Sequence, residues 1–219
     1  MREPVKGRSE AGLRRQSRAL ATRARIVEAG RRLFERDGYV GTAVTAIAAE
    51  AGVAPATVYQ AFGTKLAILM RALDLAIADD REPAGLLDRP WLEQARNTAS
   101  PYRRLVLMVT HTSEIAARTA ALKRAMRDAA GTDPDVRDLI KQDHERRLVT
   151  QRAVVDIVIA DATLRPGLDP DQAVASYFAL VNSDCYLLMV ETLRWDLSRW
   201  QRWLIEVLAR EYFAGEEPP

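Results

Sequence analysis

One cysteine in 219 residues excludes a disulfide within the chain, and a reducing, cytoplasmic setting is the expectation that follows. Histidine is nearly as scarce: only His111 and His144 are present, and neither lies in an HExxH pattern, so no zinc-hydrolase signature exists. A GxxxxGK[ST] phosphate loop is missing, as is a GxGxxG turn between a strand and a helix. Long apolar runs are missing too. Ala153 to Ala160 is broken by Asp156, far short of the ~20 residues that span a membrane. The start has no apolar run of the ~7–15 residues typical of a signal peptide. No stretch alternates apolar and polar residues long enough to read as a strand. These absences argue against an enzyme, a cofactor, a metal or a membrane partner. Cys185 stands in an apolar segment with no histidine near it in sequence, so an inert core thiol is expected there.

What is present is an ordinary folded composition, 48% apolar and 28% charged. The net charge of +2 hides an asymmetry. Residues 1–65 hold 12 Lys/Arg against 6 Asp/Glu, while the remainder holds 20 against 24. A basic N-terminal part facing a polyanion is one reading, and a solvated basic tail is the other.

Residues 1–21 mix Arg, Gly and Ser without apolar periodicity and read as a mobile basic arm, whose Arg8, Arg14, Arg15 and Arg18 either follow the phosphate backbone or minor groove of a duplex or stay disordered. From Thr22, a plausible cap, Ile26, Gly30, Leu33 and Phe34 mark one helical face up to Asp37-Gly38. Thr42 can cap a second helix over 43–51, Gly52 turns the chain, and Pro55 opens a short third helix, 55–62. Lys65 starts a fourth. After a polar loop from Asp79 to Pro90, the spacing predicts helices at about 101–118, 119–130, 134–161, 170–194 and 197–214. The expected fold is all-α with about nine helices: an arm (1–21), a three-helix domain with a helix-turn-helix (22–65), and a larger helical domain (66–219).

Two short helices joined at a glycine, behind a basic helix, form a pattern in which one helix braces on phosphates and the next meets base edges. A glycine suits the turn, where the chain reverses with little room for a Cβ. Any αα-hairpin in a helical bundle shares that spacing, so a small-molecule-binding or dimerisation module without DNA binding stays open at this point.

The residues themselves narrow the choice. The stretches RIVEAGRRLFERDGY from Arg25 and TAVTAIAAEAGVAPATVYQAFGTKLA from Thr42 resemble the DNA-binding domain of the tetracycline-repressor (TetR) family, without a gap over residues 22–69. The resemblance implies a dimeric regulator, usually a repressor, that leaves a double-stranded DNA operator when a small molecule binds. It places Thr42 and Thr45 near phosphate, and Pro55, Ala56, Thr57, Gln60 and Ala61 on the exposed face of the recognition helix. Tyr59 and Lys65 correspond to phosphate contacts, and Val58 and Phe62 to core. Ala54 stands where the family often has a capping Ser, and Ala61 where His or Tyr is common, so operator preference cannot be copied from relatives.

Two further expectations concern the larger domain. The 170–194 segment is apolar nearly all round (Val174, Tyr177, Phe178, Val181, Leu187, Leu188, Met189), and the last helix adds Trp200, Trp203, Leu204, Val207 and Leu208. Helices apolar on all sides need covering on all sides, so a homodimer through these two is expected. For an effector, Met108, His111, Thr112, His144, Asn182 and Tyr186 set polar groups among apolar ones, as small-molecule sites do. With no charged cluster visible in the sequence, an apolar or aromatic effector is expected, acting through the fourth helix.

Overall fold

Residues 10–21 are rich in Ala, Leu and Arg, which are strong helix formers. In the computed structural model of the chain they are helical, not the arm expected from their charge. The structure describes residues 10–78, 89–131 and 133–214; Arg8 and most of the expected loop after Asp79 lie outside them. Helix α1 spans Glu10–Gly41, so Thr22 lies inside it and caps nothing. Gly38 breaks α1 with φ 73° and ψ 174°, the stop read from Asp37-Gly38. α2 (Val44–Glu50), α3 (Pro55–Phe62) and α4 (Lys65–Ala78) follow. Ile26, Phe34, Ile47 and Val58 are buried between the first three. Gly30 has a packing role: a Cβ there would stand 2.6 Å from Ile68 Cγ2, so only glycine lets α4 come this close to α1. The chain divides into two compact units between Ala72 and Leu73, within α4.

The second unit holds α5 (Pro90–Arg96), α6 (Pro101–Ala130), α7 (Pro134–Ile159), α8 (Pro170–Leu180), α9 (Ser183–Leu187) and α10 (Leu197–Tyr212). A π-helical turn, Leu188–Thr192, continues α9. α5 to α8 each open with proline, whose missing N–H is needed least in the first turn. Ser100, Asp133, Asp169 and Asp196 cap α6, α7, α8 and α10 through their side-chain oxygens.

Three expectations change here. The predicted break near residue 119 is absent, because nothing there stops a helix: the Thr119 hydroxyl bonds the Ile115 carbonyl at 2.8 Å within a continuous α6. The segment from Pro90 forms α5 instead of extending a loop. The 170–194 helix is two pieces bent by 43°. Asn182 causes the break: its side-chain oxygen accepts from the Asp184 and Cys185 N–H groups and starts a new helix. The apolar residues of that segment therefore do not ring one helix. Val174 and Tyr177 turn inward, whereas Leu188 is 58% exposed.

The core of this unit packs Leu92, Leu105, Met108, Val154, Val158, Tyr177, Trp200, Leu204 and Leu208. Polar bonds thread it: Thr112 Oγ1 and the Tyr177 hydroxyl are 2.6 Å apart, and the Tyr212 hydroxyl donates to the Ala173 carbonyl at 2.6 Å. The buried Arg104 donates to the carbonyls of Ile157 (3.1 Å) and Ala160 (2.5 Å), tying off the end of α7. Among the described residues there is no strand beyond one isolated Leu164–Phe213 bridge. None of their helices alone is long and apolar enough to cross a membrane.

Candidate nucleic-acid interface

The turn between α2 and α3 is built on backbone bonds. Gly52 N–H donates to Ala49 O at 3.1 Å and Val53 N–H to Ala48 O at 2.9 Å, which closes the end of α2. Gly52 has φ +64°, and a Cβ there would meet nothing within 4 Å. Glycine is thus required by the left-handed backbone, not by the lack of room expected from the sequence. Thr42 does not cap α2. Ala43 is the N-cap residue, without a side-chain bond, while Thr42 is 2% exposed and its hydroxyl turns back to the Gly38 carbonyl at 2.7 Å. Ala54 offers α3 no side-chain cap either, and Pro55 removes one donor from the same turn.

α3 divides into two faces. Val58 is buried beneath it. Pro55, Ala56, Tyr59 and Gln60 are exposed, with Tyr59 at 55%. Those positions are i, i+1, i+4 and i+5, one side of a helix, and Thr57 and Ala61 flank it half-buried. Thr45 is exposed on α2. Phe62, expected in the core, is half-buried, with the Arg23 guanidinium 4.6 Å from its ring centroid. Arg23 also donates to the Ala61 carbonyl at 2.6 Å, a cation on the negative end of α3. Sequence reading missed this fastening, because a charged residue 38 positions away leaves no local pattern.

Lys65, matched by resemblance to a phosphate contact, donates inward to the carbonyls of Tyr39 (2.7 Å) and Thr42 (2.9 Å). Four other carboxylates of this unit are matched. Glu28 and Glu35 pair with Arg31, Glu50 with Arg32, and Asp37 with Arg36. The Arg31 bond holds the Glu28 carboxyl below its usual range. Exposed Arg15, Arg18 and Arg25 therefore give the early part of α1 its positive field.

The expected effector residues do not converge. Met108 is fully buried in the core, and Thr112 bonds Tyr177 beside it. His111 stacks on Trp91 with centroids 5.0 Å apart, and burial pushes its imidazole down from the usual value. Tyr186 lies against Trp200. His144 and Asn182 alone meet, at a cleft of about 30 Å³ between α6, α7 and α9. The charged cluster that the sequence did not reveal is there: Lys123, Arg127, Asp143, Arg147 and Asp184 line it. Their separation along the chain hid them. Cys185 is half-buried, and burial pushes its thiol up. Of the residues expected to cover a partner, Trp200, Leu204 and Leu208 are buried within their own unit, and Trp203 and Val207 only partly.

Comparison with known proteins agrees with this geometry. Residues 26–72 match the family described as bacterial regulatory proteins, tetR family. No curated protein matches the chain. A transcriptional regulator from Saccharomonospora viridis, solved with choline, is 21% identical with TM-score 0.66, over 88% of this chain and 97% of its own. FadR from Bacillus subtilis, solved with stearoyl-CoA, is 20% identical with TM-score 0.65, over 84% and 96%. NalD, the secondary repressor of the MexAB-OprM multidrug efflux pump in Pseudomonas aeruginosa, is 20% identical with TM-score 0.63, over 91% and 100%. At these identities the likeness is one of fold. The family likeness is carried by the N-terminal domain: residues 26–72 are similar to the bacterial tetR family of regulatory proteins.

Proposed function

We propose that the chain is a DNA-binding transcriptional repressor that acts as a homodimer on a palindromic operator and is released by a small molecule. The observation that carries this reading is the exposed, uncharged face of α3, held out by a helix-turn-helix in a tetR-family domain. A helix with Pro55, Ala56, Tyr59 and Gln60 outward fits a major groove. Gln60 suits bidentate bonding to adenine, and Ala56 and Ala61 suit thymine methyls. Thr57 stands at the edge of that face. Tyr59 and Thr45 reach phosphates, with the arginines of α1 adding attraction. Thr42 and Lys65 serve the same edge by fixing the turn before α2, where Lys65 also adds its charge.

Support for an effector comes from neighbours of the same fold solved with choline or stearoyl-CoA, and from NalD, named as a repressor. The signal travels through α4: the Arg118 guanidinium of α6 holds its last turn by the Ala76 carbonyl at 3.1 Å. The dimer forms through α9, the π-helical turn after it and α10: Leu188 and Leu193 remain exposed between the two helices, and Trp203 on α10 is half-buried.

Footprinting on the DNA upstream of the chain's own coding sequence tests the reading. Two protected half-sites related by a two-fold axis, with centres at least one turn, ~34–36 Å, apart are expected. A single asymmetric half-site, or a sedimentation mass near the single-chain 24.5 kDa, contradicts it.

A further inference from the structure

Arg147 on α7 has no ion pair of its own among the described residues. Its guanidinium carbon stands 3.7 Å from the centroid of the Phe178 ring. Its Nε is buried with no hydrogen-bond partner. The other two strong cations at the same cleft are matched: Lys123 Nζ donates to Asp143 Oδ2 at 2.9 Å, and Arg127 pairs with Asp184. Burial works against the Arg147 charge, and the one carboxylate acting in its favour, Asp143, already serves Lys123. An arginine keeps its proton at neutral pH regardless. A half-buried guanidinium whose Nε donor is enclosed without a partner is a costly arrangement, and an anion in the cleft removes that cost.

We propose that this cleft binds a small oxyanion, a carboxylate or phosphate group, with Arg147 as its anchor. The planar fork of a guanidinium matches two oxygens of such a group. The Phe178 ring, 3.7 Å away, braces the guanidinium, which lowers the entropy lost when the anion arrives. The volume of about 30 Å³ exceeds what one water needs, roughly 10–15 Å³. It suits the head of a ligand, not a whole drug-sized molecule. Met126 and Ile140 in the lining offer apolar surface to the carbon next to that head. His144 stands at the same cleft, edge-on to Phe178 with centroids 6.3 Å apart. Asn182 has its side-chain groups bonded within its own turn, donating to the Phe178 and Ala179 carbonyls and accepting at the start of α9. It therefore shapes the wall, and Arg147 supplies the recognition. The inference goes beyond the repressor reading and stands whether or not the chain binds DNA.

The test uses the full chain without DNA. Sodium acetate and sodium phosphate are titrated at constant ionic strength against sodium chloride, following thermal stability and the ¹⁵Nε–¹H resonance of Arg147. A saturable rise in Tm and a saturable shift of that resonance with either salt are expected, and the responding salt identifies the group. Arg147→Met keeps an apolar stem over Phe178 and should bind at least about tenfold more weakly. Arg146→Met, on the exposed side of the same helix, should bind as the parent does. An Arg147 resonance indifferent to both salts overturns the proposal. So does a Tm rise that survives intact in a folded Arg147→Met. If that variant does not fold, the resonance titration of the parent chain decides alone.

Discussion

Lys65 and Tyr39 meet twice: the ammonium donates to the Tyr39 carbonyl at 2.7 Å and stands 4.1 Å from the centroid of the Tyr39 ring. With the second bond to the Thr42 carbonyl at 2.9 Å, one side chain closes the chain reversal between α1 and α2. A residue that the family resemblance assigns to phosphate is thus also a structural clamp. Lys65→Met should cost about 2 kcal/mol, since charged hydrogen bonds and a cation–π contact are lost together. DNA affinity should fall for all sequences alike. A variant with the parent's thermal stability but weaker DNA binding would mean that the lysine serves phosphates only.

Two glycines predict an order of effects. Gly30→Ala forces a Cβ against Ile68 at 2.6 Å and should cost about 1–3 kcal/mol by overpacking. Gly52→Ala meets no atom but must hold φ +64°, costing about 1 kcal/mol. Urea midpoints of the two variants compare them directly, and the reverse order contradicts the packing account.

Arg104→Met should cost about 3 kcal/mol, because the carbonyls of Ile157 and Ala160 lose a charged donor in a buried place. The exposed neighbour substitution Arg103→Met should stay within about 0.5 kcal/mol. Equal denaturation curves for the two variants would remove Arg104 from the core's framework.

His111 gives a pH dependence. Burial against Trp91 holds its folded-state pKa below the ordinary imidazole value, with Glu114 opposing and the Arg118 charge adding to the shift. The unfolded chain therefore takes up the proton first as pH falls, so this stability is fully present above the ordinary value of about 6.5. It declines below that pH until the lowered folded pKa is passed. Thermal scans from pH 7.5 downward should show this slope, and His111→Gln should flatten it. An unchanged slope in the variant contradicts the assignment.

On α3, Gln60→Ala should change the preferred base at one position of each half-site, whereas Tyr59→Phe should weaken all sequences equally. Selection of binding sites from random duplexes separates the two. Identical preferences in both variants would refute base reading by Gln60.

Much of the N-terminal domain was legible in the sequence because its signals are local. Asp37-Gly38 stops a helix, Gly52 turns one, Pro55 starts one, and Val58 takes the buried position between Thr57 and Tyr59. The start of α1 was misread because the charge of Arg14, Arg15 and Arg18 drew more weight than the helix propensity of the residues around them. In the second unit the errors share a cause. Asn182 reads as one polar residue in an apolar run, and only the two N–H groups that it accepts from reveal a helix cap. Nothing local links Lys123, Arg127 and Arg147, which packing between helices brings together. Arg23 and Lys65 act on partners 38 and 26 residues away, and such bonds leave no periodic trace.

The central claim, that α3 and the basic start of α1 form a DNA-binding surface, is tested most directly by salt. Binding of the full chain to a duplex from upstream of its own coding sequence is measured by fluorescence anisotropy between about 50 and 200 mM sodium chloride. If several phosphates are neutralised, the logarithm of affinity should fall linearly with the logarithm of salt, with a slope near −0.9 for each phosphate contacted, and the total loss should be on the order of a thousandfold or more. A flat salt profile, or no binding even at the low end of that range, would contradict the account.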